Sequence, residues 1–387
     1  MMKKFDLFLT VIILIVTITG CDEYEPYISI SCISTTHIEE DKYLSSVFSN
    51  SNIIRLETIE ESLIGKEIDK IRKRDNRYFI SYDKEVIVVF DSQGKFLFRI
   101  KNKGNGPGEY VSLQDFDVLP DGNIIVLDMK KLLVYSVEGE FLKVIPLDIN
   151  CWNIKVIDEN NFLVCAGRED YCIYLIDGEG MVLSKQMKKN NLPFLRRSVP
   201  FSSLGNNIMY QQDVSNDFLS FNIETKNFVE VNFLCKEDRI LDIRTVREQQ
   251  KRNPMFISTD YVEKSYEKII MGNSSYNDCF LFSVGKPSSG YKYFLMNTTN
   301  NTIDHLLTEN TVDDISFTSI KILLNRSMTG TDSDDCLLTY LWPYQIMDGL
   351  NKNINLNDHP NYKYLHFLIE NTDDIEEENP YLIELRK

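Results

Sequence analysis

A strand–turn–strand unit that recurs along the chain limits its fold more than any other feature. One copy reads NRYFISYDKEVIVVFDSQGKFLFRI (76–100), and a second reads DGNIIVLDMKKLLVYSVEGEFLKVI (121–145). A third is ENNFLVCAGREDYCIYLIDGEGMVLSKQ (159–186), and a looser fourth is GNNIMYQQDVSNDFLSFNIETKNFVEVNFL (205–234). Each opens on a polar turn and carries three short β-rich runs divided by polar or charged turns. Gly94, Gly139 and Gly180 hold the late turn, with Asn227 in the comparable place, at spacings of 45, 41 and 47 residues. In the first copy Phe96, Phe98 and Ile100 alternate with Lys95, Leu97 and Arg99, the period of a half-buried strand. Self-similarity at roughly 40 to 50 residues with several strands per unit indicates propeller blades. A single blade exposes two apolar faces that only neighbouring blades can cover, and ring closure protects the ends. A β-sandwich with irregular turns is the competing architecture; the constant internal order of the units favours the propeller.

The rhythm breaks between 237 and 268, where helix formers and charges predict a partly helical insertion that Pro254 ends or kinks. Strand-like runs return at 278–284, 291–296, 315–324, 336–340 and 381–385, with an acidic turn or short helix at 373–378. No Pro/Gly/Ser-rich linker follows the first fifty residues, so 51–387 reads as one all-β domain.

The amino terminus has the layout of a secretory leader: Lys3 and Lys4, an apolar run from Leu7 to about Ile18, then small residues before Cys21. The apolar run is short for a membrane span, which needs roughly 20 residues. Ile18-Thr19-Gly20-Cys21 resembles the lipobox of bacterial lipoproteins, departing from it at Ile18, where leucine is preferred. The resemblance implies a signal peptide over 1–20, lipidation of Cys21, and a tether and entry segment over 21–50. Asp22, Glu23 and Glu25 are similar to the surface-export signals of Bacteroidetes lipoproteins. Uncleaved anchoring and ordinary secretion with an unmodified cysteine are the alternatives.

Three further stretches resemble one family: IIRLETIEESLIGKEIDKI (53–71), GNGPGEY (104–110) between the first two copies, and the ending NPYLIELRK (379–387). With the repeats, they make the chain similar to the six-bladed β-propeller lipoproteins of Bacteroidetes, relatives of the NHL-repeat type. The resemblance implies six blades and an outer-membrane location facing the periplasm or the cell surface. It implies little about activity.

The formal charge is −16, and loss of the leader makes it one unit more negative. Nucleic acid and anionic membrane surfaces demand clustered Lys/Arg, so nucleic-acid binding is not expected. The small basic patches, Lys70 to Arg74 (KIRKR) and Lys251-Arg252, read as solvated surface. Seven cysteines follow Cys21, an odd number without a CxxC spacing. Cys165 and Cys172 flank a hairpin turn and form one conceivable disulfide; buried free thiols are the plainer reading.

Candidate functional residues are few. Glu109 and Tyr110 end the GNGPGEY turn, either presented to a ligand at a propeller mouth or shaping a blade crossing while Tyr110 packs. Asp115, Asp117, Asp121 and Asp128 offer oxygen ligands around one blade, and Asp115 and Asp117 are weak metal candidates. Calcium wants six to eight such oxygens, and some propellers similar in architecture hold it in the central channel. No other cofactor is predicted. The four histidines, His37, His305, His359 and His366, form no HExxH, and no serine lies in a GxSxG context. Trp152, Tyr340, Trp342 and Tyr344 could line a sugar- or peptide-binding mouth; Trp342-Pro343-Tyr344 is the better surface-loop candidate. The leading expectation is a noncatalytic envelope module that binds a protein, peptide or glycan, monomeric by default and joined to the membrane by its lipid. One alternative is a propeller enzyme, either a metal-assisted hydrolase or lyase or a carbohydrate-active lyase. Another is a structural accessory of an outer-membrane complex.

Overall fold

The computed structural model describes residues 27–31, 39–65, 67–166, 169–188, 199–211, 217–234, 269–286, 290–297, 299, 302–372 and 374–387. Their strands form six sheets arranged as the blades of a propeller. Two strands precede blade one in the chain: β1 (Tyr27–Ser31), which joins the outer edge of blade four, and β2 (Asn50–Arg55), which forms the outer edge of blade six. Blade one is β3 (Ile68–Arg74), β4 (Arg77–Tyr82), β5 (Val86–Asp91) and β6 (Phe96–Ile100). Blade two is β7 (Asp115–Val118), β8 (Ile124–Asp128), β9 (Lys131–Tyr135) and β10 (Phe141–Pro146). Blade three is β11 (Cys151–Asp158), β12 (Asn161–Ala166), β13 (Tyr171–Asp177) and β14 (Val182–Lys188). Blade four is β15 (Phe201–Leu204), β16 (Asn207–Gln211), β17 (Asp217–Asn222) and β18 (Phe228–Leu234). Blade five is β19 (Ile269–Tyr276), β20 (Cys279–Lys286), β21 (Gly290–Asn297) and β22 (Thr302–Leu307). After helix α1 (Ile320–Thr329), blade six takes β23 (Thr331–Ser333) and β24 (Leu337–Leu341), then α2 (Pro343–Lys352) and α3 (Pro360–Glu370), then β25 (Tyr381–Arg386). In blades one to five each strand pairs antiparallel with the next, from the axis outward.

Six apolar clusters hold the ring, one at each seam between neighbouring blades. Phe79, Ile87 and Val89 of blade one meet Phe116, Ile124 and Val126 of blade two. Equivalent clusters join blades two and three, three and four, and four and five. The largest lies between blades five and six, where α1, α2 and α3 wedge between the sheets. Leu338 and Leu382 of blade six meet Ile71 and Tyr78 of blade one and complete the circle. The segment read as tether and entry, 21–50, supplies β1 and also buries Leu44, Val47 and Phe48 in the five–six seam. Closure is by the strand clasp of β2 on β25, antiparallel from Asn50↔Arg386 to Arg55↔Tyr381.

The recurring glycine has a physical cause. Gly94, Gly139 and Gly180 have φ of +79°, +87° and +86°, a region that penalises a side chain. A Cβ there would lie 2.1 Å from Arg55 O at Gly94, 2.8 Å from the Phe98 ring at Gly139 and 2.2 Å from Pro146 O at Gly180. Each contact is to the outer strand of the preceding blade, so the glycine lets consecutive blades close up. Asp91, Ser136 and Asp177 begin these turns, each accepting two backbone N–H groups from the turn. The fourth copy differs. Its turn is one residue longer, and Lys226, with φ +55°, takes the left-handed place expected of Asn227.

Two other expectations are corrected. The run 315–324, read as a strand, is helical from Ile320. Ser319 caps it by accepting from Ile322 N at 3.2 Å, and Ile320, Leu323, Leu324 and Met328 are buried at helical spacing. Trp342-Pro343-Tyr344, read as a loop, starts α2 with Pro343 in its first turn, where the missing N–H costs nothing. Cys165 and Cys172 are buried and not joined in a disulfide. The insertion expected at 237–268 and the Lys251-Arg252 patch lie outside the described residues.

Candidate functional site

The innermost strands carry polar residues two apart, so both side chains of each pair fall on one strand face. β3 supplies Lys70 and Arg72, β7 Asp115 and Asp117, β11 Asn153 and Lys155, all nearly inaccessible. β23 pairs parallel with β3 and adds Asp332. Lys70 Nζ donates to Asp115 Oδ1 at 3.0 Å and to Phe116 O at 2.8 Å. Arg72 Nε donates to Asp117 Oδ1 at 3.0 Å, and its Nη2 holds both oxygens of Asp334 at 2.9 and 2.8 Å. Lys155 Nζ donates to Asp332 Oδ2 at 2.7 Å, and Arg72 Nε lies 3.7 Å from the same oxygen. Three buried cations thus face three buried carboxylates. Isolated, each ion would cost several kcal/mol to bury; here the charges balance.

The second oxygens of Asp115 and Asp117 are engaged as well. Asp115 Oδ2 accepts from Ile154 N at 3.0 Å and Asn153 Nδ2 at 3.3 Å, while Asp117 Oδ2 accepts from Val156 N at 2.7 Å. Burial alone would raise Asp117 and Asp332, but Arg72, Lys155 and Lys70 hold both below the usual carboxylate range. Burial would lower Lys70, and Asp115, Asp117 and Asp332 raise it instead. Asp115 is raised because burial outweighs Lys70 and Ile154 N. Donors converge on it from four groups, the environment of an ionised carboxylate.

The residues singled out as metal candidates are therefore bound to Lys70, Arg72 and backbone amides. Asp121 instead caps its own turn through Asn123 N, and Asp128 accepts from Val111 N at 2.9 Å. Among the described residues no group of three or more His, Cys, Asp or Glu is placed to hold a metal ion. KIRKR, read as solvated surface, is a correction: Lys70, Arg72 and Lys73 are buried. Lys73 belongs to a second network at the blade six–one seam, where its Nζ meets Glu384 Oε1 at 2.6 Å and Asp335 Oδ2 at 2.7 Å. Arg386 holds the same two carboxylates at 2.8 and 3.0 Å, and Tyr78 OH donates to Glu384 Oε1 at 2.8 Å. Asp335 is lowered to about 2: burial raises it, and hydrogen bonds from Lys73 and Arg386 outweigh that.

Tyr110 is wholly buried between blades one and two, in keeping with the packing alternative of its two readings. Its OH donates to Glu85 O at 2.5 Å, and burial pushes its pKa up. Glu109 Oε2 accepts from Gly106 N at 2.7 Å and closes the GNGPGEY turn on itself. His305 pairs with Asp41, His359 accepts from Asn361 N at the start of α3, and His366 pairs with Glu370. These three histidines sit in separate pairs, and His37 lies outside the described residues.

Trp342 is half-buried before α2, its backbone N–H bonded to Gln345 Oε1 at 3.1 Å. Tyr344 is 52% exposed, with Met347 one turn on. Tyr364 and Phe367, 48% and 60% exposed, repeat that spacing on α3. Tyr340 carries the Arg326 guanidinium 4.4 Å from its ring centre, and Trp152 is half-buried in β11. A polar cleft of about 470 Å³ opens at the blade six–one seam between Arg55, Glu57, Lys95, Glu377 and Glu378. Among the described residues no helix is long and apolar enough to cross a membrane.

A family model described as a domain of unknown function (DUF4934) matches residues 28–386. The fold is similar to that of a Bacteroides fragilis protein described as exported, with a TM-score of 0.68 at 17% identity. That match covers 90% of this chain and 98% of the other. A Bacteroides caccae protein of unknown function matches at a TM-score of 0.42 and 12% identity, over 68% of this chain and 85% of that one. No curated protein matches the sequence.

Proposed function

The chain belongs to the DUF4934 family, and we propose that it is a noncatalytic binding module of the bacterial envelope, held to a membrane through acylated Cys21. The observation that carries this reading is the paired axial charge network contributed by blades one, two, three and six. Propeller catalysis at the axis needs converging acid, base or metal-ligating groups with room for substrate. Lys70, Arg72 and Lys155 are instead paired with Asp115, Asp117 and Asp332, and backbone amides hold Asp115 and Asp117 further. Recognition then falls to the outer surfaces, where Tyr344 presents a ring at low entropic cost. Glycans and extended peptides are the ligands an exposed aromatic suits.

Glycan and peptide arrays probed with the purified chain test the reading. Saturable binding that Tyr344→Ala weakens at least tenfold, with no product released from the bound glycan, supports it. Turnover of an arrayed glycan, lost in Asp117→Asn, would overturn it in favour of the carbohydrate-active enzyme. A rise in thermal stability with micromolar calcium, lost in that variant, would support a metal-assisted site.

A further inference from the structure

Apart from the axis, the outer rim holds the least ordinary surface. In blades two and three the outermost strands β10 and β14 pair on one side only. Leu142 and Val144 are 51% and 43% exposed, and Met181, Val182 and Leu183 are 61%, 41% and 52% exposed. Exposed apolar residues concentrated on neighbouring edges mark an interaction surface.

Blade four, next in the ring, shows where that surface lies relative to the chain's beginning. β1 adds a fifth, parallel strand outside β18, from Tyr27↔Glu230 to Ser31↔Leu234. Its first residue is level with the start of β18, just past the 222–227 turn. Six peptide steps separate Cys21 from Tyr27, which extend at most ~20 Å. An acyl chain on Cys21 is therefore confined near the rim of blade four, beside the apolar edge of blade three. In a six-membered ring the α1–α3 wedge between blades five and six lies across from blades two and three.

We infer that the disk stands on edge at the membrane, with the exposed apolar residues of β10 and β14 resting on the lipid surface. Resting on the anchor reading, the inference deepens it. Acylation confines the rim, and Leu142, Val144 and Met181 to Leu183 add apolar contact with the interface. Tyr344, Tyr364 and Phe367 are then carried on the side turned away from the lipid, open to a partner.

The test couples the chain through the Cys21 thiol to maleimide lipid in phosphatidylethanolamine/phosphatidylcholine vesicles, in a Cys32→Ser, Cys235→Ser background. Hydrogen exchange is compared with the uncoupled chain. The expected result is at least threefold slower exchange over 141–144 and 181–183, unchanged exchange over 354–367, and loss of the slowing in Leu142→Asp/Leu183→Asp at an unchanged melting temperature. Slowing at 354–367 instead, or no slowing anywhere, overturns the inference. Whether Cys21 is acylated in the cell is read separately from the mass of the amino-terminal peptide. An unmodified cysteine there sinks the anchor reading, while the coupled-vesicle result still decides the rim geometry.

Discussion

Replacing Lys155 by methionine tests the axial network most directly. The Lys155 side chain is 4% exposed, and its ammonium lies 2.7 Å from Asp332 Oδ2. At an effective dielectric of about 20, that separation corresponds to about 6 kcal/mol of attraction. The methionine avoids the cost of burying an ammonium, which returns part of that sum. Asp332 remains buried, with Arg72 Nε at 3.7 Å as its nearest remaining cation. Removing one partner of a buried pair costs about 3 to 5 kcal/mol, and the surviving Arg72 contact places Lys155→Met near the lower end, about 3 kcal/mol. Lys155→Met/Asp332→Asn removes one charge of each sign and should recover at least ~1 kcal/mol relative to the sum of the single variants. Urea titration followed by the fluorescence of Trp152 and Trp342 reads both numbers. A Lys155→Met protein within about 1 kcal/mol of the parent, or strictly additive losses in the double variant, would refute the reasoning.

Gly180→Ala should destabilise by about 1 to 3 kcal/mol or more, since a positive φ is strained for alanine and its Cβ would lie 2.2 Å from Pro146 O. Gly205→Ala, with φ +54° and nothing within 4 Å, isolates the backbone part; equal losses in the two variants would disprove the blade-contact account. Acid should unfold the ring early. Asp117 and Asp332 have depressed folded pKa values, so their stabilisation is present above the unfolded carboxylate value of about 3.9 and drains away as pH falls below it. Asp115 is raised and opposes this, while Lys70, also raised, contributes fully below its unfolded value of about 10.4. The denaturation midpoint should hold from about pH 5 to 9 and drop between about pH 4 and 3; an unchanged midpoint at about pH 3 counts against the network. Tyr110→Phe deletes the donor to Glu85 O inside the core and should cost about 1 to 2 kcal/mol, while Tyr344→Ala, on an exposed helix face, should change urea stability by less than about 0.5 kcal/mol.

Repeats were legible in the sequence because each blade uses local hairpins, and local pairing writes its turns at fixed spacing. The late-turn glycines show this best, since one steric demand recurs at blade after blade. What escaped were features made by residues far apart. KIRKR looked like surface because a run of charges normally is, yet β3 is an innermost strand and alternation sends Lys70 and Arg72 to the axis. Its partners appear as the matching two-apart pairs Asp115/Asp117 and Asn153/Lys155 at the heads of the next two blades. A search for charge pairs at equivalent repeat positions could have found them; Asp332 lies in no clear repeat and could not. The helices of blade six were missed for a different reason. Apolar runs such as Ile320 to Leu324 fit strand and helix alike at that length, and Ser319 and Pro343 decide in favour of helix only once they are recognised as start signals.

Blade six also explains why the ring is joined by charge as well as by strands. Its inner position is not filled by a full strand of its own sheet: β23 leaves β24 to pair with β3 of blade one. The seam between last and first blade is thereby shared by two sheets, and a hydrophobic cluster cannot fix the register of a parallel three-residue pairing, because apolar contact is nondirectional. Charges can. Asp332 is held by Lys155 and Arg72, Asp334 by Arg72, and Asp335 by Lys73 and Arg386. Shifting β23 by one residue would turn Asp332 away from its two cations and leave Arg72 and Lys155 buried against fewer carboxylates, a state costing several kcal/mol. The axial ions therefore favour the register in which the circle closes, a role that accounts for their burial and pairing.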